Sequence, residues 1–223
     1  MDKLIKARYY DFFWLMHDLF LQNFLKTLVA IDPISLIPIL TVITQGFDIK
    51  KSVKLAVSVF IITSIILTFF SIYGNSFLNF MGISIGSFQI VGGLFLLIIS
   101  HEMVFEKRVE RKKSLASKLI NRSELQNLAV FPISIPLIAG PSAITLSVLI
   151  SKNFDYSIQS FYTQIFPIIL TLFFTSLIII FSNFFLNFFN KNVMNVFQKV
   201  FGLILGALAI EYIITGIKIS LWM

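Results

Sequence analysis

Apolar runs of about twenty residues or more recur along this chain, each long enough to cross the hydrocarbon core of a bilayer. That repetition constrains the fold more than any other feature, because in lipid the backbone must satisfy its own polar groups, and helices do so within a single run. The spacing predicts six helices, at about 19–44, 53–73, 84–105, 127–150, 161–185 and 197–217. Hydrophobic residues make up 57% of the chain and mean hydropathy is +0.90, which excludes an ordinary soluble domain. The runs are too many for one to be a cleavable signal peptide, and residues 1–18 are too charged and aromatic for that role. The absence of cysteine excludes disulfides, thiolate metal sites and cysteine nucleophiles.

The expected organisation is an interfacial N-terminal segment (1–18), a first three-helix repeat (19–105), a basic cytoplasmic loop (106–126) and a second three-helix repeat (127–223). Net charge is +7, with Lys and Arg concentrated in short loops between spans. Twelve lie on the side of loops 1–2, 3–4 and 5–6, against five on the side of the termini. The positive-inside rule then places those loops in the cytoplasm and both termini outside, in a multi-pass membrane protein. Nucleic-acid binding is set aside, and Lys107, Arg108 and Arg111 are read as parts of a solvated topology determinant.

Two stretches break the pattern. Asp32-Pro33-Ile34-Ser35-Leu36-Ile37-Pro38 lies inside the first run, and Pro136-Leu137-Ile138-Ala139-Gly140-Pro141-Ser142 inside the fourth. The proline pairs match at an offset of 103. In the third helix of each half, Gly93, Leu94, Leu96 and Glu102 match Gly202, Leu203, Leu205 and Glu211 at an offset of 109. Together these indicate a duplication, and three spans per half invert the second copy. Gly202 and Gly206 form a small-residue packing face.

Proline has no N–H, so Pro33 and Pro38 free the carbonyls of Val29 and Ile34, and Pro136 and Pro141 those of Pro132 and Leu137. Freed carbonyls at membrane depth persist only inside protein or beside a wet cavity. The prolines therefore either kink packing helices or build a midplane site. In the second case half-helix N-termini suit a carboxylate and carbonyls suit a cation, a combination fitting a zwitterion. Asp32 costs roughly 2.5–3.5 kcal/mol at mid-membrane on insertion scales, so it is a functional candidate. Capping the turn after Pro33 and binding a ligand or proton are compatible roles for it. Ser35 and Ser142 add hydroxyls, and Gly140 allows close backbone approach. The substrate-binding candidates are Asp32, Pro33, Ser35, Pro38, Pro136, Gly140, Pro141 and Ser142; the coupling or gating candidates are Asp32, Glu211 and Glu102.

No enzyme constellation is present: His17 and His101 are the only histidines, and no nucleophile elbow, zinc helix or phosphate loop occurs. No cofactor is expected beyond H⁺ or Na⁺ as a coupling ion, and the expected partners are the lipid bilayer and a small-molecule substrate.

The broken segments resemble those of the MarC family of bacterial inner-membrane proteins. Asp32-Pro33-Ile34-Ser35-Leu36-Ile37-Pro38 resembles the family's D-P-x-G-N-x-P, and Gln89-Ile90-Val91-Gly92-Gly93 its R-I-A-G-G. The stretch from Ala129 to Ile144, AVFPISIPLIAGPSAI, is similar to its A-x-x-P-L-A-x-P-L-[LI]-A-G-P-G-[AS]-[IM]. The resemblance implies an all-α polytopic membrane protein with six transmembrane helices in two inverted three-helix repeats, helices 1 and 4 broken at the proline pairs. It also implies transport of small neutral amino acids, to which some members are linked. Ser35, Leu36 and Ser142 stand where the family pattern has Gly, Asn and Gly. The expected function is a secondary transporter or exporter working by alternating access; the alternatives are a non-transporting membrane partner or assembly protein and, behind it, a passive channel.

Overall fold

The computed structural model describes residues 2–108, 110, 111, 114, 129–152, 154–182, 184 and 191–221. These form α1 (Asp2–Ile31), α2 (Ile37–Ile43), α3 (Ile49–Phe80), α4 (Ile85–Val104), a wide kinked segment α5 (Ala129–Ile138), α6 (Pro141–Ser151), α7 (Ile158–Ile180) and α8 (Lys191–Leu221), with no strand among the described residues. Among the described residues five spans are long and apolar enough to cross a membrane, α1 with α2 counting as one, and six when α5 and α6, bent by 66°, count as one broken span. The chain is an all-α polytopic membrane protein. Most of the expected 106–126 loop lies outside the described residues, as does the stretch 185–190 after the fifth span.

Each helix end has a local cause. The side chains of Asp48 and Ser84 accept the amides of Lys51 and Ser87 and so cap α3 and α4. The second helix was expected to stop near Gly74-Asn75, yet α3 runs on to Phe80. Gly74 is a packing site instead: a Cβ there would lie 2.9 Å from the Cα of Val148 on α6. The helix ends at Gly82, whose φ of +69° closes a Schellman turn, with Ile83 N–H donating to Leu78 O and Gly82 N–H to Asn79 O.

The core is apolar, and unlike that of a soluble protein the outer surface is apolar too. The broken elements are the most buried, with Ile31, Leu36, Leu40, Ile133 and Ile138 in one core with α3 and α7. The outer faces of α3, α4 and α8 expose Ile61, Ile65, Phe69, Ile98 and Leu203, an apolar surface that suits lipid.

α4 and α8 pack antiparallel through small residues. A Cβ on Gly93 would meet Ala209 O and Ile213; a Cβ on Gly202 would meet Ser100 O and Val104. An offset of 109 converts each set into the other. The polar ties repeat the relation: Thr44 Oγ1 lies 2.7 Å from Ser182 Oγ, and Asn75 N–H donates to Ser151 Oγ at 2.7 Å. Thr44 and Ser151, like Asn75 and Ser182, are 107 apart.

Candidate functional site

The first break begins at Asp32, whose φ of +53° turns the chain out of α1. Asp is one of the few residues that adopts this left-handed geometry readily. Pro33 then prevents the helix from resuming in register. A short 3₁₀ turn, Ile34–Leu36, leads into α2, with Pro38 in its first turn where no N–H is required. One expected open carbonyl is therefore filled: Ile34 O accepts the Ile37 amide across the 3₁₀ turn, so Pro38 leaves nothing free there.

The carbonyl of Ala30 stands at the end of α1. Ser142 Oγ donates to it at 2.8 Å and Arg108 Nη2 at 3.1 Å. Arg108 Nε lies 3.3 Å from Asp32 Oδ2, and the two side chains are 3% and 0% exposed. Asp32 Oδ1 faces the Ser35 amide at 3.4 Å, and Ser35 Oγ donates to Asp32 O at 2.9 Å. Asp32 thus faces the Ser35 amide of the following turn and also pairs with a buried guanidinium. Burial pushes the Arg108 pKa down, and the adjacent Asp32 opposes that shift. A pair this deep is held by mutual need: removing one partner strands the other charge in a low dielectric.

The second break follows from three X-Pro pairs. Phe131, Ile135 and Gly140 each precede a proline and each is extended, as ring sterics require. A Cβ on Gly140 would lie 2.6 Å from Pro136 O, so only glycine fits. α6 starts at Pro141 with no side-chain cap. Beside it opens a cavity of about 240 Å³, bounded by Arg108 and Arg111 and by Pro136, Gly140, Pro141 and Ser142. Arg111 also pairs with Glu102 at 2.7 Å.

A larger cleft, about 460 Å³, lies at the other end of the same helices and is lined by Gln22, Asn23, Lys26, Gln89, Lys152 and Asp155 among others. On α4, Gln89 lines the cleft and Ile99 the cavity, a rise of about 15 Å. On α6, Leu149 and Ile150 line the cleft and Pro141 and Ser142 the cavity. Between them lie buried Val29, Ala30, Leu96 and Leu146, with Tyr212 packed against both groups. Here too a proline organises a polar contact. Pro167 cannot donate to Thr163 O; Phe166 N–H reaches Phe161 O in a wider turn, and Asn23 Nδ2 donates to Thr163 O at 2.7 Å.

The structure therefore brings Asp32, Ser35 and Ser142 into one buried network around Ala30, and sets Pro136, Gly140, Pro141 and Ser142 on the cavity wall. Pro33 is buried behind Asp32, and Pro38 is half-buried and off the cavity wall. Glu102 is mostly buried against Arg111, while Glu211 is exposed on α8 and lines neither cavity. Arg108 is the residue that sequence reasoning missed: it is buried rather than solvated. Its signal was its type, since Arg is scarce in this Lys-rich chain and a guanidinium suits buried pairs better than an ammonium.

The sequence profile described as "MarC family integral membrane protein" matches residues 17–221. The chain is similar to "UPF0056 membrane protein MJ0972" of Methanocaldococcus jannaschii, 28% identical over 89% of this chain and 86% of the relative. It is also similar to a UPF0056 membrane protein of Buchnera aphidicola subsp. Schizaphis graminum, 30% identical over 90% and 92%, and to one of Aquifex aeolicus, 26% identical over 90% and 92%. No solved structure matches.

Proposed function

The chain belongs to the MarC family of integral membrane proteins, and from that premise we propose that it is a secondary transporter or exporter of small neutral amino acids or similar small metabolites. One observation carries this reading: two cavities lie at opposite ends of the same helices, divided at the broken segments by buried apolar residues and the polar network around Ala30. Closing one cavity while opening the other is alternating access. The reciprocal contacts at offsets of 107 and 109 support an inverted pair of halves able to rock about that division. Lys50, Lys51, Lys54 and Lys107 cluster at the arginine-cavity end, which this reading places in the cytoplasm of an inner membrane, with the termini outside. Asp32 is the proposed coupling residue, because a proton or Na⁺ taken up there competes with Arg108. The reading involves no covalent chemistry.

A second reading, a non-transporting membrane partner, is favoured by the serines, since Ser35 and Ser142 both spend their hydroxyls on backbone carbonyls at the first break. Proteoliposomes separate the two. Uptake or efflux of labelled alanine, glycine and serine above empty vesicles is expected, with loss in Asp32→Asn. Flux equal to empty vesicles for every compound sinks the transport reading.

A further inference from the structure

The arginine cavity carries more chemistry than its place on a transport path. Arg108 Nη2 is spent on Ala30 O and Nε faces Asp32, but Nη1 is buried with no hydrogen-bond partner among the described residues. A buried donor of this kind asks for an acceptor. Beside it, α6, eleven residues long and without a side-chain cap, begins on the same cavity. Pro141 has no N–H, and the amides of Ser142 and Ala143 precede the first residue whose amide finds an intrahelical acceptor, Ile144 to Gly140 O at 3.0 Å. Arg108 and the start of α6 line one cavity and meet at the Ala30 carbonyl, and a helix N-terminus favours an anion.

The rest of the lining narrows the ligand. Among the described lining residues the charged ones are Arg108 and Arg111, with no acid. Asp32 and Glu102, which pair with Arg108 and Arg111, stand off the lining, so no described lining residue offers a carboxylate to an ammonium. Ile99 and Leu137 add apolar wall, which suits a short hydrocarbon body and not an all-polar phosphate. A volume of about 240 Å³ admits an acid of a few carbons.

We propose that this cavity is a carboxylate site, in which the carboxylate of a short-chain acid or amino acid lies between Arg108 and the N-terminus of α6. The proposal deepens the transport reading, on which it rests for the purpose of the site but not for binding. It makes the carboxylate, and not the amino group, the feature read at this end of the path.

The test uses the full-length protein in detergent, titrated at matched sodium with propionate, alanine, alaninol and inorganic phosphate while its melting temperature is followed. Propionate and alanine raise it with similar half-saturation; alaninol and phosphate do not. Arg108→Gln weakens the propionate response about tenfold or more, and Arg111→Gln weakens it less. Protection by alaninol equal to that by alanine, protection by phosphate without propionate, or wild-type affinity in Arg108→Gln overturns the proposal. Should Arg108→Gln fail to fold, the ligand series on the wild type decides alone. Carboxylate binding without flux in proteoliposomes keeps the site and ends the transport reading. Alaninol flux equal to alanine flux does the reverse.

Discussion

Ser142 Oγ donates to the carbonyl of Ala30 at 2.8 Å, joining positions 112 residues apart. Ala30 stands at the C-terminal end of α1 and Ser142 in the first turn of α6. The bond therefore sets the partly negative end of one half-helix against the partly positive start of another, an arrangement that both helix dipoles favour. It also closes one of the backbone groups that the first break leaves open. Replacing Ser142 by Ala removes one of two donors to that carbonyl, with Arg108 remaining. The expected loss is about 1 kcal/mol, read as a lower melting temperature in detergent. An unchanged melting temperature means that the bond contributes nothing.

The Asp32–Arg108 pair tests whether the first break and the segment that follows α4 form one unit. Asp32→Asn or Arg108→Gln alone strands a buried charge and is expected to cost about 3–5 kcal/mol. The double variant strands none and should cost clearly less than the two singles together. A double-mutant cycle by chemical unfolding measures this, and strict additivity means that the two groups do not interact.

The spans were legible because a bilayer forces the backbone into helices, and apolar runs record that directly. The breaks were legible at Pro33 and Pro136 because a missing N–H is a property of one residue. What those breaks attract was not. Ser142 bonding Ala30, Asn23 bonding Thr163 and Arg108 pairing by charge with Asp32 join residues 76 to 140 positions apart, and no local pattern encodes such pairings. Gly74 misled for a related reason: glycine at a helix end and glycine under a crossing helix look alike in one dimension, and only the 2.9 Å approach to Val148 separates them. Glu211 matched Glu102 by repeat, yet one lies exposed on α8 and the other beside Arg111, because charge placement need not follow the duplicated backbone.

Asp155, on the rim of the polar cleft, accepts hydrogen bonds from the hydroxyls of Ser157 and Ser160, each at 2.6 Å, and from the Ser157 amide at 3.1 Å. These bonds favour the carboxylate and hold its pKa down to about 2, from the usual 3.8. Because the folded value is depressed, its contribution to stability is full above the usual value and is lost as pH falls from 3.8 through about 2. Carboxylate titration by NMR should place Asp155 near 2, and the double variant Ser157→Ala/Ser160→Ala should return it toward the usual range. An Asp155 that titrates normally in the wild type refutes the network.

Asn23 and Pro167 form the most self-contained test of how this chain uses its prolines. Pro167 leaves Thr163 O without its helical donor, and Asn23 of α1 supplies one at 2.7 Å. Asn23→Ala should therefore cost about 1–2 kcal/mol, since a half-buried carbonyl loses its partner. Pro167→Ala restores an amide at the position that can reach Thr163 O, so α7 can tighten to regular geometry. Asn23→Ala should then be markedly cheaper in the Pro167→Ala background than in the wild type, as measured by unfolding in detergent. The same cost in both backgrounds would mean that Asn23 acts through some contact other than the carbonyl that Pro167 leaves open.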